Sequence, residues 1–166
     1  MNQKAKKRTL FLCRGALIAA LYVLLTMVAR VLGLDSGMVQ LRLSEALCIL
    51  PLFCPEAISG LTVGCLLANL LGGAVWLDIL VGPVATLLGA VGTYCLRRHP
   101  WAAASMPVLS NALIIPFVLC YGYGMEQAIP LMMLTVGAGE LISAMGLGML
   151  LYGALRPHAG RLGRGA

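Results

Sequence analysis

The sequence predicts an all-α polytopic membrane protein with six transmembrane helices and both termini in the cytoplasm. Hydrophobic residues make up 60% of its 166 residues and charged residues only 11%, whereas soluble domains hold about 45–50% apolar and about 25% charged residues. The basic residues also flank the apolar runs. We expect one transmembrane domain over residues 9–155, preceded by a basic cytoplasmic segment, 1–8, and followed by a basic cytoplasmic tail, 156–166.

Four apolar runs are long enough to cross a bilayer, which takes about 20 residues. They are residues 9–30, 75–96, 104–123 and 128–155. The first run lacks a small-residue cleavage site with a polar flank, so we expect a retained helix and not a signal peptide.

The stretch 43–73 is harder to interpret, because it is too short for two full spans and is broken by Pro51 and Pro55. We expect two short helices, 44–54 and 57–73, joined by a turn at Cys54-Pro55-Glu56. A re-entrant hairpin is the alternative. It leaves the total number of crossings even, as two short helices do.

The positive charge lies in three clusters that hold ten of the twelve Lys and Arg residues. The clusters are Lys4, Lys6, Lys7, Arg8 and Arg14, then Arg97 and Arg98, then Arg156, Arg161 and Arg164. The positive-inside rule places such clusters in the cytoplasm. An even number of crossings must therefore separate the first two clusters. The runs 9–30 and 75–96 supply two crossings, so the stretch 43–73 must supply two or none, and we choose two short helices. This placement favours a membrane topology over nucleic-acid binding.

Several kinds of chemistry are not expected. The two histidines, His99 and His158, lie in basic segments, so neither a Ser-His-Asp triad nor a histidine metal site is predicted in the membrane. No lysine follows Lys7, so a P-loop is missing and any ATP must be bound by another subunit. The six cysteines show no paired spacing. We expect no enzyme, metal or cofactor.

A small set of polar residues remains inside or beside the apolar runs. It consists of Gln40, Arg42, Glu45, Asn69, Asp78, Asn111 and Glu140. Glu140 is the most informative, because a carboxylate at the bilayer centre costs about 3 kcal/mol and usually faces a cavity and a partner. That partner is either a neighbouring helix, which would make the contact structural, or a ligand.

The other polar residues also have structural explanations. Arg42 and Glu45 are three residues apart and could pair across one helical turn, as a site or as a loop clamp. Asn69 and Asp78 flank a glycine turn, where helix capping or loop closure explains them equally well.

Small residues four apart mark close helix contacts. Ala16 and Ala20 form one such pair, and Gly60 and Gly64 form another. Each pair fits either internal packing or contact with a partner.

Three segments resemble one known family. They are VQLRLSEALCILP at 39–51, GLTVGCLLANLLGG at 60–73 and LDILVGPVATLLGA at 77–90, and Asn111 and Glu140 also fit in their settings. Together they resemble the QueT family of S components, the substrate-binding membrane subunits of energy-coupling factor (ECF) transporters. Leu41 departs from the family, where we expect an aromatic residue.

The resemblance implies a six-helix S-component bundle in the bacterial cell membrane. It implies assembly with a transmembrane coupling subunit, the T component, and with two cytoplasmic ATPases. The implied ligand is a queuosine precursor, a 7-deazaguanine base such as queuine or its 7-cyano or 7-aminomethyl relatives. Small residues of the first helix face the coupling subunit in related S components, and Ala16 and Ala20 match them.

The resemblance also gives each polar residue an expected role. Glu140 would accept hydrogen bonds from N1–H and the 2-amino group of the base, with Asn111 and Asn69 as partners for O6 or ring nitrogens. The remaining substrate-binding residues would line or lock the outer end. These are Gln40, Arg42, Glu45 and Asp78. The alternatives are an S component for another vitamin-like molecule, a stand-alone channel or exporter, and a membrane-embedded enzyme.

Overall fold

The computed structural model describes residues 3–34 and 41–162, and within these ranges every regular element is helical. The α-helices are α1 (Gln3–Val31), α2 (Glu56–Leu71), α3 (Trp76–Cys95), α4 (Pro100–Tyr123), α5 (Ile129–Glu140), α6 (Gly148–Leu155) and α7 (Ala159–Leu162). A 3-10 helix, Leu43–Leu52, precedes α2, and a second one, Arg156–His158, follows α6. A π-helix, Leu141–Leu147, joins α5 to α6. The predicted all-α membrane bundle is confirmed.

Four helices in the described ranges have the length and apolar composition of a membrane span. They are α1, α3, α4 and the continuous helical run Ile129–His158. The helices Leu43–Leu52 and Glu56–Leu71 are apolar but shorter. Six crossings and cytoplasmic termini therefore stay predictions.

Two helices begin earlier than the sequence predicts. Helix α1 starts at Gln3, so most of the basic segment 1–8 extends the first span as helix. Helix α4 starts at Pro100 and not at residue 104. Proline suits the first position of a helix, because its missing N–H has no partner there anyway.

The segment expected as a short helix over 44–54 is the 3-10 helix Leu43–Leu52, which contains Pro51. A 3-10 helix rises about 2.0 Å per residue, so ten residues cover roughly 20 Å, about a third more than an α-helix would. The helix packs against α1, α2, α3, α4, α6 and the π-helix and lies at the centre of the bundle.

Helices α1 and α2 run parallel and in close contact. Arg14, in the first half of α1, forms a 3.0 Å ion pair with Glu56 at the start of α2. Near their ends, the Arg30 guanidinium donates to the Gly72 carbonyl. Arg14 and Arg30 are sixteen residues apart, or roughly 24 Å along the axis. The chain between α1 and α2 therefore returns over more than half the length of α1 before α2 begins, which both the two-short-helix interpretation and the re-entrant hairpin allow.

The glycine pair of α2 allows this close approach. A Cβ on Gly60 would lie 2.7 Å from the Gly15 carbonyl oxygen, and one on Gly64 would lie 2.7 Å from the Tyr22 Cβ. Any larger residue would push α1 away, so the Gly60 and Gly64 pair packs inside the protein. Ala16 and Ala20, in contrast, are exposed on α1.

Candidate ligand-binding site

A cavity of about 340 Å³ lies at the end of the bundle where α1, α2 and α4 end and α3 begins. In the predicted topology this is the outer end. The cavity is lined by Tyr22, Thr26, Ala29, Arg30, Leu41, Arg42, Ser44, Asn69, Asp78, Leu119, Tyr123 and Met125. Its volume lies at the lower end of the range of about 300–1,000 Å³ for small-molecule sites.

Arg42, Asn69 and Asp78, which the sequence predicts as site residues, all line this cavity. The Asn69 side-chain amide donates a 2.9 Å hydrogen bond to the Asp78 carbonyl. The Tyr123 hydroxyl donates at 3.1 Å to Asp78 Oδ2. Asp78 Oδ1 is buried and has no partner among the described residues. The hydrogen bond from Asn69 to Asp78 closes the turn between them, and both residues also line the cavity.

Glu45 points away from the cavity and into the bundle. The Tyr22 hydroxyl donates to its Oε1, and the Cys48 thiol donates to its Oε2 at 3.0 Å. Within the described ranges no ion pair joins Arg42 and Glu45. The three-residue spacing suggested that pair, but the carboxylate turns toward α1 instead. Arg42 still attracts Glu45 electrostatically, as it attracts Asp78.

Glu140 and Asn111 meet in the interior. The Asn111 amide donates a 2.8 Å hydrogen bond to Glu140 Oε1. Glu140 Oε2 is buried, and no donor to it is found in the part of the chain that the structure describes. The Glu140 side chain borders a separate void of about 10 Å³ with Arg42, Ile115 and Val136. That space suits about one water molecule, so Glu140 does not line the larger cavity.

Arg42 connects the two spaces, because it borders both the larger cavity and the void at Glu140. Arg42 interacts electrostatically with three buried carboxylates, those of Glu45, Asp78 and Glu140. Acceptor groups are therefore in excess here, and a ligand that brings N–H donors would complement them.

The backbone changes form next to Glu140, where the π-helix begins. Short π-helical segments inside α-helices often occur at functional sites. Ser143, on the first turn of this π-helix, is buried with a hydroxyl oxygen that has no partner among the described residues.

Gln40 lies outside the described residues, so its expected role stays a prediction. The described chain contains no group of three or more His, Cys, Asp or Glu side chains that could hold a metal ion.

Sequence reasoning missed Tyr22 and Tyr123. A tyrosine at the end of an apolar run is typical of the aromatic belt at a membrane interface. Tyr123 therefore gave no local signal that it contacts Asp78, 45 residues earlier in the chain. Tyr22 lies inside the first apolar run and its partner Glu45 is 23 residues later, so its sequence context gave no signal either.

The helical bundle, its membrane-spanning helices and the polar cavity at one end define a multi-pass membrane protein with a site for a small molecule. The chain belongs to the QueT transporter family, whose model matches residues 12–157. Membership of a transporter family indicates that the protein's role is transport and not catalysis. Together with the apolar helices, it places the protein in the cell membrane.

One curated relative is the queuosine precursor transporter QueT of Lactococcus lactis subsp. cremoris (strain MG1363). It is 36% identical over 83 residues, which cover 50% of this chain and 48% of the relative. The aligned part therefore spans about half the length of each protein. No solved structure matches the chain.

Proposed function

We propose that this protein is the substrate-binding membrane subunit of an ECF-type importer that takes up a queuosine precursor, a 7-deazaguanine base. The observation that carries the proposal is the cavity of about 340 Å³ lined by Arg42, Asn69 and Asp78 in a member of the QueT transporter family. The relative named as a queuosine precursor transporter supports this choice of ligand.

The polar groups complement a guanine-like base. Such a base presents N–H donors at N1 and the 2-amino group and acceptors at O6 and N3. Carboxylates at Asp78 and Glu140 supply acceptors, and Arg42 supplies donors. A pocket that hydrogen-bonds its ligand rejects analogues that leave those groups unpaired, so these residues would also give specificity.

Glu140 keeps its proposed contact with N1–H and the 2-amino group, but reaching it requires a movement. Arg42 borders both the larger cavity and the void at Glu140. Reorientation of this long, flexible side chain would join the two spaces and bring the free Oε2 of Glu140 into reach. In this arrangement Asn111 positions Glu140 and does not touch the ligand.

Energy coupling is proposed to come from partner subunits. The chain has no lysine after Lys7 and hence no P-loop. The exposed Ala16 and Ala20 are the proposed contact with the coupling subunit. An apolar groove of about 260 Å³ runs beside them between α1 and α2, lined by Phe11, Leu12, Gly15, Ala16, Ala19, Ser59, Gly60 and Val63. Small residues in such a groove let a partner helix approach closely.

The proposal is tested by two measurements on the protein purified from its native membrane. A panel of 7-deazaguanine bases should raise its melting temperature, since a ligand that binds only the folded state stabilises it. Adenine-type bases of the same size are the control. A coupling subunit and ATPases should copurify. Equal stabilisation by both sets of bases, or no stabilisation by either, would overturn the proposed ligand. Purification without partners would overturn ECF coupling and favour a stand-alone channel or exporter.

A further inference from the structure

Among the described residues, Asp78 both lines the larger cavity and carries a buried carboxylate oxygen without a hydrogen-bond partner. In the described ranges, buried side-chain oxygens without a partner occur on Asp78, Glu140 and Ser143. Of these three residues, only Asp78 lines the larger cavity. Asp78 is only 4% exposed. A buried carboxylate oxygen without a donor is costly, so a donor supplied from the cavity would relieve a cost already built into the fold.

One hydrogen bond holds the Asp78 carboxylate, and a second fixes the backbone of the same residue. Tyr123 donates to Oδ2 at 3.1 Å, and Asn69 donates to the Asp78 carbonyl at 2.9 Å. Gly82 lies beside both side chains, and a Cβ there would come within 2.9 Å of Asp78 Oδ1 and 2.7 Å of Asn69 Nδ2. The absence of a side chain at Gly82 lets the aspartate and the asparagine occupy this corner. The acceptor is therefore positioned before a ligand arrives, which reduces the ordering cost of binding.

Asp78 lines the larger cavity and Glu140 borders the inner void, and Arg42 borders both spaces. The proposed function gives the six-membered-ring edge of the base, with N1–H and the 2-amino group, to Glu140. A base whose six-membered ring points into the inner void would leave its five-membered ring in the larger cavity, which Asp78 lines. The five-membered ring carries N9–H, the position of the sugar in a nucleoside, and also the 7-substituent.

We infer that the Asp78 carboxylate accepts a hydrogen bond from an N–H donor at the five-membered-ring end of the ligand, either N9–H or an amine on the 7-substituent. This inference rests on the proposed function. It makes Asp78 a specificity-determining residue, with Tyr123 and Asn69 as positioning residues. If the donor is N9–H, the site selects the free base over its nucleoside.

The test measures the affinity of the purified protein for three probes by calorimetry. The probes are 7-aminomethyl-7-deazaguanine, 7-cyano-7-deazaguanine and the N9-methyl derivative of the cyano base. Loss of a charge-assisted hydrogen bond weakens binding about ten- to hundredfold. If N9–H is the donor, wild type should bind the N9-methyl base that much more weakly than its parent. If the amine is the donor, wild type should discriminate against the cyano base to the same degree.

Asp78→Asn should abolish whichever discrimination wild type shows, because the amide no longer offers the same acceptors. The ligand-free melting temperature should not fall, since the variant removes a buried charge with an unpartnered oxygen. Tyr123→Phe keeps the carboxylate but loosens it, so it should reduce the same discrimination partially. Glu126→Gln, the same acid-to-amide change at an exposed position outside the cavity, should change nothing.

The outcomes separate the inference from the function on which it rests. Binding of deazaguanines by wild type with neither discrimination, or with a discrimination that Asp78→Asn leaves intact, would overturn the role of Asp78 alone. Failure of wild type to bind any of the three probes would overturn the proposed ligand and the inference with it.

Discussion

The Asn111 amide in α4 donates a 2.8 Å hydrogen bond to Oε1 of Glu140 at the end of α5. Both side chains are buried, and the second carboxylate oxygen, Oε2, has no partner among the described residues. One oxygen of Glu140 thus makes a contact between helices, and the other is free for a ligand. The structural and ligand-binding interpretations of Glu140 each account for one oxygen.

Glu140→Gln should weaken deazaguanine binding about ten- to hundredfold, because charge-assisted hydrogen bonds contribute about 1.5–3 kcal/mol. The fold should survive, since an amide costs less to bury than a carboxylate. Calorimetry with deazaguanine and with a hypoxanthine-type analogue lacking the 2-amino group measures both affinity and discrimination. Unchanged affinity in the variant, or equal wild-type affinity for the two ligands, would leave Glu140 as a helix-packing residue.

The α1 surface at Ala16 and Ala20 should be the docking site of the coupling subunit. Replacing either alanine with tryptophan should abolish copurification of that subunit and leave ligand binding intact, because both residues are exposed and lie outside the larger cavity. Leu134→Trp on α5 is the matched control, since Leu134 is also highly exposed. Normal copurification with the Ala16 and Ala20 variants would contradict the assignment.

The predicted topology places His99 in the cytoplasm and Gln127 outside. Both residues are exposed in the connections at opposite ends of α4. In a background whose six native cysteines are replaced by alanine or serine, a membrane-impermeant thiol reagent added to intact cells should label Gln127→Cys and not His99→Cys. The reverse labelling pattern would show that the bundle is inverted.

Leu41 lines the larger cavity at the position where the family resemblance suggests an aromatic residue. Leu41→Tyr should therefore tighten binding of a deazaguanine base, because stacking of a base on an aromatic ring contributes about 1–3 kcal/mol. The measurement is the dissociation constant of the variant against wild type, with Leu131→Tyr on the exposed face of α5 as the control. Equal or weaker binding by Leu41→Tyr would mean that the ring of the base lies elsewhere.

The sequence predicts the helices well and their contacts poorly. Apolar run length and charge placement locate six apolar helical segments, including the break at Pro55, because these signals are local. The winding of Leu43–Leu52 is not predictable in the same way. An apolar stretch with an internal proline fits an α-helix or a 3-10 helix, and the structure shows a 3-10 helix.

The sequence predicted residues of the candidate site but not which side chains contact one another. Arg42, Asn69 and Asp78 were found because polar residues beside apolar runs are conspicuous, and the structure brings all three to one cavity. Helical spacing, however, considers only residues on one helix. It paired Arg42 with Glu45, whereas Glu45 bonds to Tyr22 on another helix. Such contacts arise from the packing of helices far apart in sequence.

The central claim is that a queuosine precursor binds in the larger cavity, and a cavity-filling variant tests it most directly. Ala29 is 2% exposed and lines the cavity, whereas its neighbour Val28 is exposed and lies outside it. Calorimetric titration with a 7-deazaguanine base should show binding to wild type and to Val28→Phe and no binding to Ala29→Phe, with melting temperatures confirming that all three are folded. Absence of binding to wild type, or undiminished binding to Ala29→Phe, would contradict the account.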